Sequence, residues 1–212
     1  MLTGIILGTA IANLALAKAS VSCWKPENKK QTQEIKKVAD TILEEHNLKS
    51  KGVSIVDSKK AYFQYFDNII GINMKKDPLA VFHEIGHAYI ANNRKSKTFN
   101  KYGPLLTLIS MGFALSPLFI DKKYEWEKED CTTAEKITDS IRDNAPALAV
   151  ASYIPIVKEE ASASIWASKF AKPHLSKNLY GKMMRGNIFG FTTYLLSTLM
   201  LGLVAKDAQS YA

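Results

Sequence analysis

Cysteine is scarce in this chain. Its 212 residues include two, Cys23 and Cys131, with no CxxC spacing. A disulfide-stapled scaffold and a thiolate zinc site of the finger or ribbon kind are therefore excluded. Internal repeats and low-complexity tracts are missing as well, and with them a solenoid or a disordered tail. No nucleic-acid motif accompanies the excess of 28 Lys and Arg over 20 Asp and Glu. The resulting net charge of +8 favours anionic surfaces, and no nucleic-acid partner is expected. With 47% apolar and 23% charged residues, the composition suits one domain with a real core.

Charge is absent altogether from four windows, a pattern concealed by a mean hydropathy of −0.09. Met1 to Ala17, Tyr102 to Ile120, Asn144 to Val157 and Gly186 to Ala205 carry no Asp, Glu, Lys or Arg over 17, 19, 14 and 20 residues. At about 1.5 Å per helical residue, the second and fourth can span a hydrocarbon core of about 30 Å, and the first nearly can. The third is short and needs its flanks, or dips in only partway. Pro104, Pro117, Pro146 and Pro155 add kinks for a bundle to accommodate. Ala17-Lys18-Ala19 is like a signal cleavage site, but no basic stretch precedes the first window. Residues 1–20 are accordingly expected to form an uncleaved membrane anchor. The domain 21–212 then carries hydrophobic segments 102–120, 144–157 and 186–205.

Ser22 to Lys30, with Trp24, Pro26 and three lysines, reads as a linker to a compact soluble pattern. From Thr32 to Leu48, Ile35, Val38, Ala39, Ile42 and Leu43 recur at helical spacing, which predicts an amphipathic helix ended by Lys51-Gly52. Val53 to Val56, Ala61 to Tyr65 and Ile69 to Asn73 read as short strands, the last two joined through Asp67-Asn68. Asp77-Pro78 then predicts an N-cap and first residue of a helix running to about Asn92.

That helix contains Val81-Phe82-His83-Glu84-Ile85-Gly86-His87-Ala88-Tyr89, whose centre is HExxH. The four-residue step places both imidazoles on one helix face, where a tetrahedral zinc takes a nitrogen from each. Glu84, one residue past His83, is placed to deprotonate a water that zinc has acidified to a pKa of about 7. Gly86 costs about 1 kcal/mol relative to alanine in a helix interior, so another segment is expected to pack closely there. Zincins run an edge strand beside this helix to hold a peptide by main-chain hydrogen bonds, and Ile69 to Asn73 is the candidate for it, with an ordinary core strand as its other reading.

Two histidines leave a zinc short of a third protein ligand. Downstream candidates are Glu159, Glu160, His174 and the acidic run from Asp121 to Asp143. Glu160 has a supporting pattern in Glu160-x-x-Ala163-Ser164-x-x-Ala167. Its small residues leave room for a helix to lie against HExxH, and Ser164, one turn beyond Glu160, is placed to orient a ligand. His174, after Lys172-Pro173, and His46, at the end of the first soluble helix, read as surface histidines.

These residues resemble the integral-membrane zinc metallopeptidases of the gluzincin kind, most closely the bacterial membrane neutral zinc metallopeptidase family (YugP-like). The resemblance covers most of the chain. It rests on Val38-Ala39-Asp40-Thr41-Ile42-Leu43, on His83-Glu84-Ile85-Gly86-His87-Ala88, on Glu160-Ala161-Ser162-Ala163-Ser164 and on the order of the hydrophobic segments. HtpX-type and CaaX-processing membrane proteases are similar more distantly, with ExxAD where this chain has Ser164. The resemblance implies His83, His87 and Glu160 as zinc ligands and Glu84 as general base, and it implies no defined substrate.

For HExxH and Glu160 to share one metal they must face the same side of a membrane, and two intervening spans satisfy that parity. Lys and Arg number 16 from Lys18 to Lys101 and six from Lys158 to Arg185, against five from Asp121 to Asp143, where there are also eight acids. The positive-inside tendency therefore predicts a cytoplasmic metal side, with Cys23 and Cys131 on opposite sides. The expected fold is mainly α with a small β-sheet, a zincin-like α+β catalytic core plus transmembrane helices. The expected activity is zinc-dependent hydrolysis of peptide bonds in protein or peptide substrates at the bilayer. Tyr153, Tyr180, His174 and Arg185 are the candidate oxyanion-stabilising groups. The rival expectation is a noncatalytic membrane scaffold or assembly factor with a structural metal site.

Overall fold

The computed structural model describes residues 2–93, 102–121 and 131–211. Among these, the chain is mainly helical with one small mixed sheet. The order is α1 (Leu2–Cys23), α2 (Lys29–Glu45), β1 (Ser54–Asp57), β2 (Tyr62–Gln64), β3 (Ile69–Ile72), α3 (Ala80–Asn93), α4 (Gly103–Leu115), α5 (Thr133–Asp143), α6 (Ala145–Ala171) and α7 (Lys177–Tyr211). The acids of the run after Asp121 that fall within 122–130, weighed above as ligand sources, lie outside the described residues.

The chain divides into two compact units. One comprises Met1–Asn13, Tyr102–Ile156 and Tyr194–Ala212, and the other Leu14–Lys101 and Val157–Thr193. The first unit is built from the apolar windows. Its small core is Ala114, Ala145, Ala149 and Ala205, with Gly202 against Val150. Small side chains at these contacts let the helix backbones approach closely. Polar ties supplement that packing, Ser110 with Ser152 at 2.9 Å and Asn13 donating to Ser197 at 3.0 Å. The buried Arg142 donates from Nε to the Ile120 carbonyl at 3.1 Å.

Two of the four windows lie in helices long and apolar enough to cross a membrane, α1 and α7. The window 102–120 is broken: α4 stops at Leu115 and a 3-10 turn, Ser116–Leu118, follows. Pro117 has no N–H for the Phe113 carbonyl, which accepts instead from the Ser116 backbone. The short window 144–157 is the first half of the 27-residue α6, which continues through Pro155 to Ala171.

The second unit carries the sheet. Its strand order is β1-β3-β2, with β1 parallel to β3 (Ser54 beside Ile69) and β2 antiparallel to it (Tyr62 beside Gly71). This corrects the expectation for Ile69 to Asn73. β3 is the central strand, hydrogen-bonded on both sides, and its Ile70 and Ile72 are fully buried. A continuous apolar run is what a strand covered on both faces requires, and such a strand offers no free edge.

Around the sheet, α2 buries Ile35, Ala39, Ile42 and Leu43, and α3 buries Val81, Phe82 and Ile85. The first of these helices runs three residues ahead of its expected limits, because the Asn28 side chain caps it by accepting from the Gln31 backbone at 3.0 Å. The second starts later than expected, at Ala80. Asp77 and Pro78 form a lead-in turn whose carbonyls accept from Ala80 and Val81. The linker shrinks to the residues between α1 and α2, and it is anchored. The Trp24 carbonyl accepts from Leu79 at 3.4 Å, and its indole lies against Gly186.

One contact sets the spacing of α3 and α6. A Cβ built on Gly86 would meet the Ala163 carbonyl oxygen at 2.2 Å. Gly86→Ala therefore forces two backbones apart, and despite alanine's better helix propensity it is expected to lower stability by about 1–3 kcal/mol. Thermal unfolding in detergent checks this; an unchanged midpoint would contradict the close approach.

Candidate metal centre

α3 and the second half of α6 supply the centre. His83 and His87 stand one turn apart on α3, and their Nε2 atoms are 3.1 Å apart. Glu160 enters from α6, with Oε2 at 3.1 Å from His83 Nε2 and Oε1 at 3.6 Å from His87 Nε2. The three groups offer ligand atoms within 4.8 Å of one another and form a candidate metal-binding set. A tetrahedral zinc with bonds of about 2.0–2.1 Å separates its ligand atoms by about 3.4 Å, so the observed spacing and donor types fit that ion.

The far nitrogens are supported. His83 Nδ1 lies 3.3 Å from Ser164 Oγ, and His87 Nδ1 lies 3.2 Å from Glu159 Oε1. Each imidazole can thus donate from Nδ1 and keep the Nε2 lone pair directed at the shared point, the arrangement that metal-ligating histidines need. Both histidine side chains are 12% exposed and Glu160 is 14% exposed, so water screens the set weakly. Burial pulls His87 down, but the Glu160 and Glu159 carboxylates outweigh it and hold its pKa well above the ordinary imidazole value. Burial pushes Glu160 up, and the two histidines overcome this to leave its pKa far below the usual carboxylate range. A cluster that holds positive charge so firmly as a proton is suited to hold it as a divalent ion.

Glu84 lies within the same buried neighbourhood, 8% exposed. Burial raises its pKa against the pull of His87 and His83, with Glu160 and Asp77 reinforcing the rise. A carboxyl raised in this way accepts a proton more readily than an exposed glutamate does.

Other expected site residues fall elsewhere. His174 pairs with Glu45 at 2.9 Å, and His46, read from the sequence as a surface histidine, is half-buried with its ring tilted against Phe170 at a centroid distance of 3.8 Å. Tyr180 packs on the core of the second unit, Arg185 is exposed, and Tyr153 lines an apolar cavity of about 360 Å³ in the first unit. Two neighbours of the centre escaped sequence reading. The Trp24 ring lies 6.4 Å from that of His83, and a tryptophan amid linker lysines is the one signal that pointed inward. Tyr65, just after β2, has its phenol pushed up by burial and by the Glu159 carboxylate. Comparison with protein-family models, curated proteins and solved structures finds no match.

The three-ligand set predicts one zinc per chain in the detergent-purified protein. His83→Ala or His87→Ala should abolish it, and Glu160→Ala should weaken it by more than the roughly 10–100-fold that loss of a supporting group costs. Elemental analysis after dialysis checks this, and full retention in Glu160→Ala would move the third ligand to another residue.

Proposed function

We propose that this chain is a membrane-bound zinc-dependent endopeptidase of the membrane neutral zinc metallopeptidase kind. The observation that carries the reading is the convergence of His83, His87 and Glu160 at tetrahedral spacing with the buried Glu84 next to the first ligand. Zinc, when bound, supplies a Lewis acid that polarises a carbonyl and brings the pKa of water toward 7. Glu84 takes the proton of the attacking water and passes it to the leaving amine. Ser164 and Glu159 keep the two imidazoles in the ligating tautomer.

Among the described residues β1 and β2 are the edge strands of the sheet, and β2 (Tyr62–Gln64) is the one packed on α3, so an extended peptide would add there, since β3 is paired on both sides. Tyr65 follows directly on β2, and its phenol is raised by burial and by the Glu159 carboxylate, which supports a peptide path along that end of the strand. The alternative, a noncatalytic membrane scaffold with a structural metal site, is supported less well. Structural zinc is usually closed by four protein ligands, whereas the group among the described residues has three, and a structural site has no use for Glu84.

Membrane attachment rests on α1 and α7. Both are apolar over a full span, and only 6% of each apolar stretch is buried inside the chain, unlike the core helix of a soluble protein. The lipid bilayer and protein or peptide substrates, membrane proteins included, are then the partners. The 22 basic residues on the two metal-bearing loops, against five between Asp121 and Asp143, favour an active site on the cytoplasmic side.

Glu84→Gln separates enzyme from scaffold. The amide keeps the side chain's shape but takes no proton, so zinc content should stay at the wild-type level while cleavage of an unfolded substrate such as casein falls to background. Undiminished cleavage would sink the mechanism, and undiminished cellular function with cleavage lost would favour the scaffold. The expected placement of Cys131 on the far side requires α4 with its 3-10 turn and the first half of α6 to cross as well as α1 and α7. A membrane-impermeant thiol reagent on intact cells should then label Cys131 and spare Cys23, with unfolded protein as the control for reactivity. Labelling of Cys23 alone would invert the topology.

A further inference from the structure

We infer that Glu159 is a positioning residue that holds and charges the His87 ligand, so that the two histidines of the centre are unequal. The inference rests on the zinc reading above and concerns a residue which that reading uses only for its tautomer role. Neighbouring residues on a helix point about 100° apart. Glu159 and Glu160 thereby straddle one imidazole: Glu160 lies by Nε2 at 3.6 Å and Glu159 by Nδ1 at 3.2 Å. Nδ1 and Nε2 lie on opposite sides of the ring, so the Glu159 contact is made away from the shared ligand point. Its side chain is only 19% exposed, unlike an acid on a solvated helix face.

His83 has a different support. Its Nδ1 faces the neutral hydroxyl of Ser164 at 3.3 Å. An anionic acceptor strengthens the N–H bond and raises the basicity of the opposite nitrogen more than a hydroxyl does. Charge balance points the same way. A divalent ion held by two neutral imidazoles and Glu160 leaves one positive charge in a weakly screened pocket, a charge that the Glu159 carboxylate offsets together with the buried Glu84. Removing Glu159 therefore costs both the orientation of His87 and a compensating charge, whereas removing the Ser164 hydroxyl costs orientation alone.

The test is zinc affinity of the full-length protein in detergent, measured by competition with a chromophoric zinc chelator. Circular dichroism of each metal-free variant checks the fold. Glu159→Ala is expected to bind zinc about 10–100-fold more weakly than wild type, and Ser164→Ala to lose less. Glu159→Gln keeps an acceptor oxygen without the charge and should recover part of the loss, which a merely space-filling role would not predict. The visible spectrum of the cobalt(II)-loaded Glu159→Ala protein should keep the wild-type coordination number, because no ligand has been removed. Wild-type zinc affinity in both Glu159 variants would overturn the inference, as would a changed coordination number, which would make Glu159 a ligand. A wild-type protein that binds no zinc would overturn the underlying reading instead, and is distinguishable because it precedes any comparison of variants.

Discussion

The centre depends on the close approach of two helix backbones. At Gly86 the absence of a side chain lets the Ala163 carbonyl come so close that a Cβ there would overlap it sterically. Ala163 and Ala167 are fully buried on the facing stripe of α6. Every residue of that stripe then falls at a set height: Glu160 one turn before Ala163 meets both histidines, and Ser164 just after it meets His83. Larger residues along this seam would move the third carboxylate away from the histidine pair, because interaxial distance is decided by the side chains at the contact. The glycine's cost in helix propensity is offset by what this spacing permits.

Electrostatics act within that geometry. Four ionisable side chains and a fifth close by, His83, His87, Glu160, Glu159 and Glu84, share a neighbourhood from which water is largely excluded. Such a concentration of carboxylates is unfavourable in itself, and its field raises the pKa of His87 well above the ordinary imidazole value against the opposing effect of burial. Divalent metal binding offsets the same field with a stronger charge and releases protons. The scaffold behind α3 makes the arrangement stiff. Ile70 and Ile72 of the central strand and Ile35, Ile42 and Leu43 of α2 share one buried cluster with Val81, Phe82 and Ile85 of α3.

The first unit is a different physical environment. Alanine and glycine at its contacts, a paired set of hydroxyls and long exposed apolar faces set it apart, and two of its helices are long and apolar enough to cross a membrane. The second unit has a conventional core of branched aliphatic residues around a sheet. A single chain therefore carries two solutions to packing, and α1, α6 and α7 contribute residues to both.

Much of this was legible in local patterns. The HExxH step on one helix face, the amphipathic α2, the three strands and the apolar windows are short-range features, and the periodicity of side chains determines them directly. Gly86 announced a neighbour by its cost, and the spacing from Glu160 to Ala167 named the segment. Strand order was not legible. Placing β3 between β1 and β2 depends on which chains pair, and an apolar strand reads the same whether central or at an edge. The start of α3 at Ala80 was decided by a lead-in turn that competes with capping at Asp77. Trp24 looked like linker because its partners, Leu79 and Gly186, lie 55 and 162 positions further along the chain. Glu159 stood in a charged run that ordinarily faces solvent. Only the packing of α6 on α3, which turns both acids of that run toward one imidazole, decided that they take opposite sides of it.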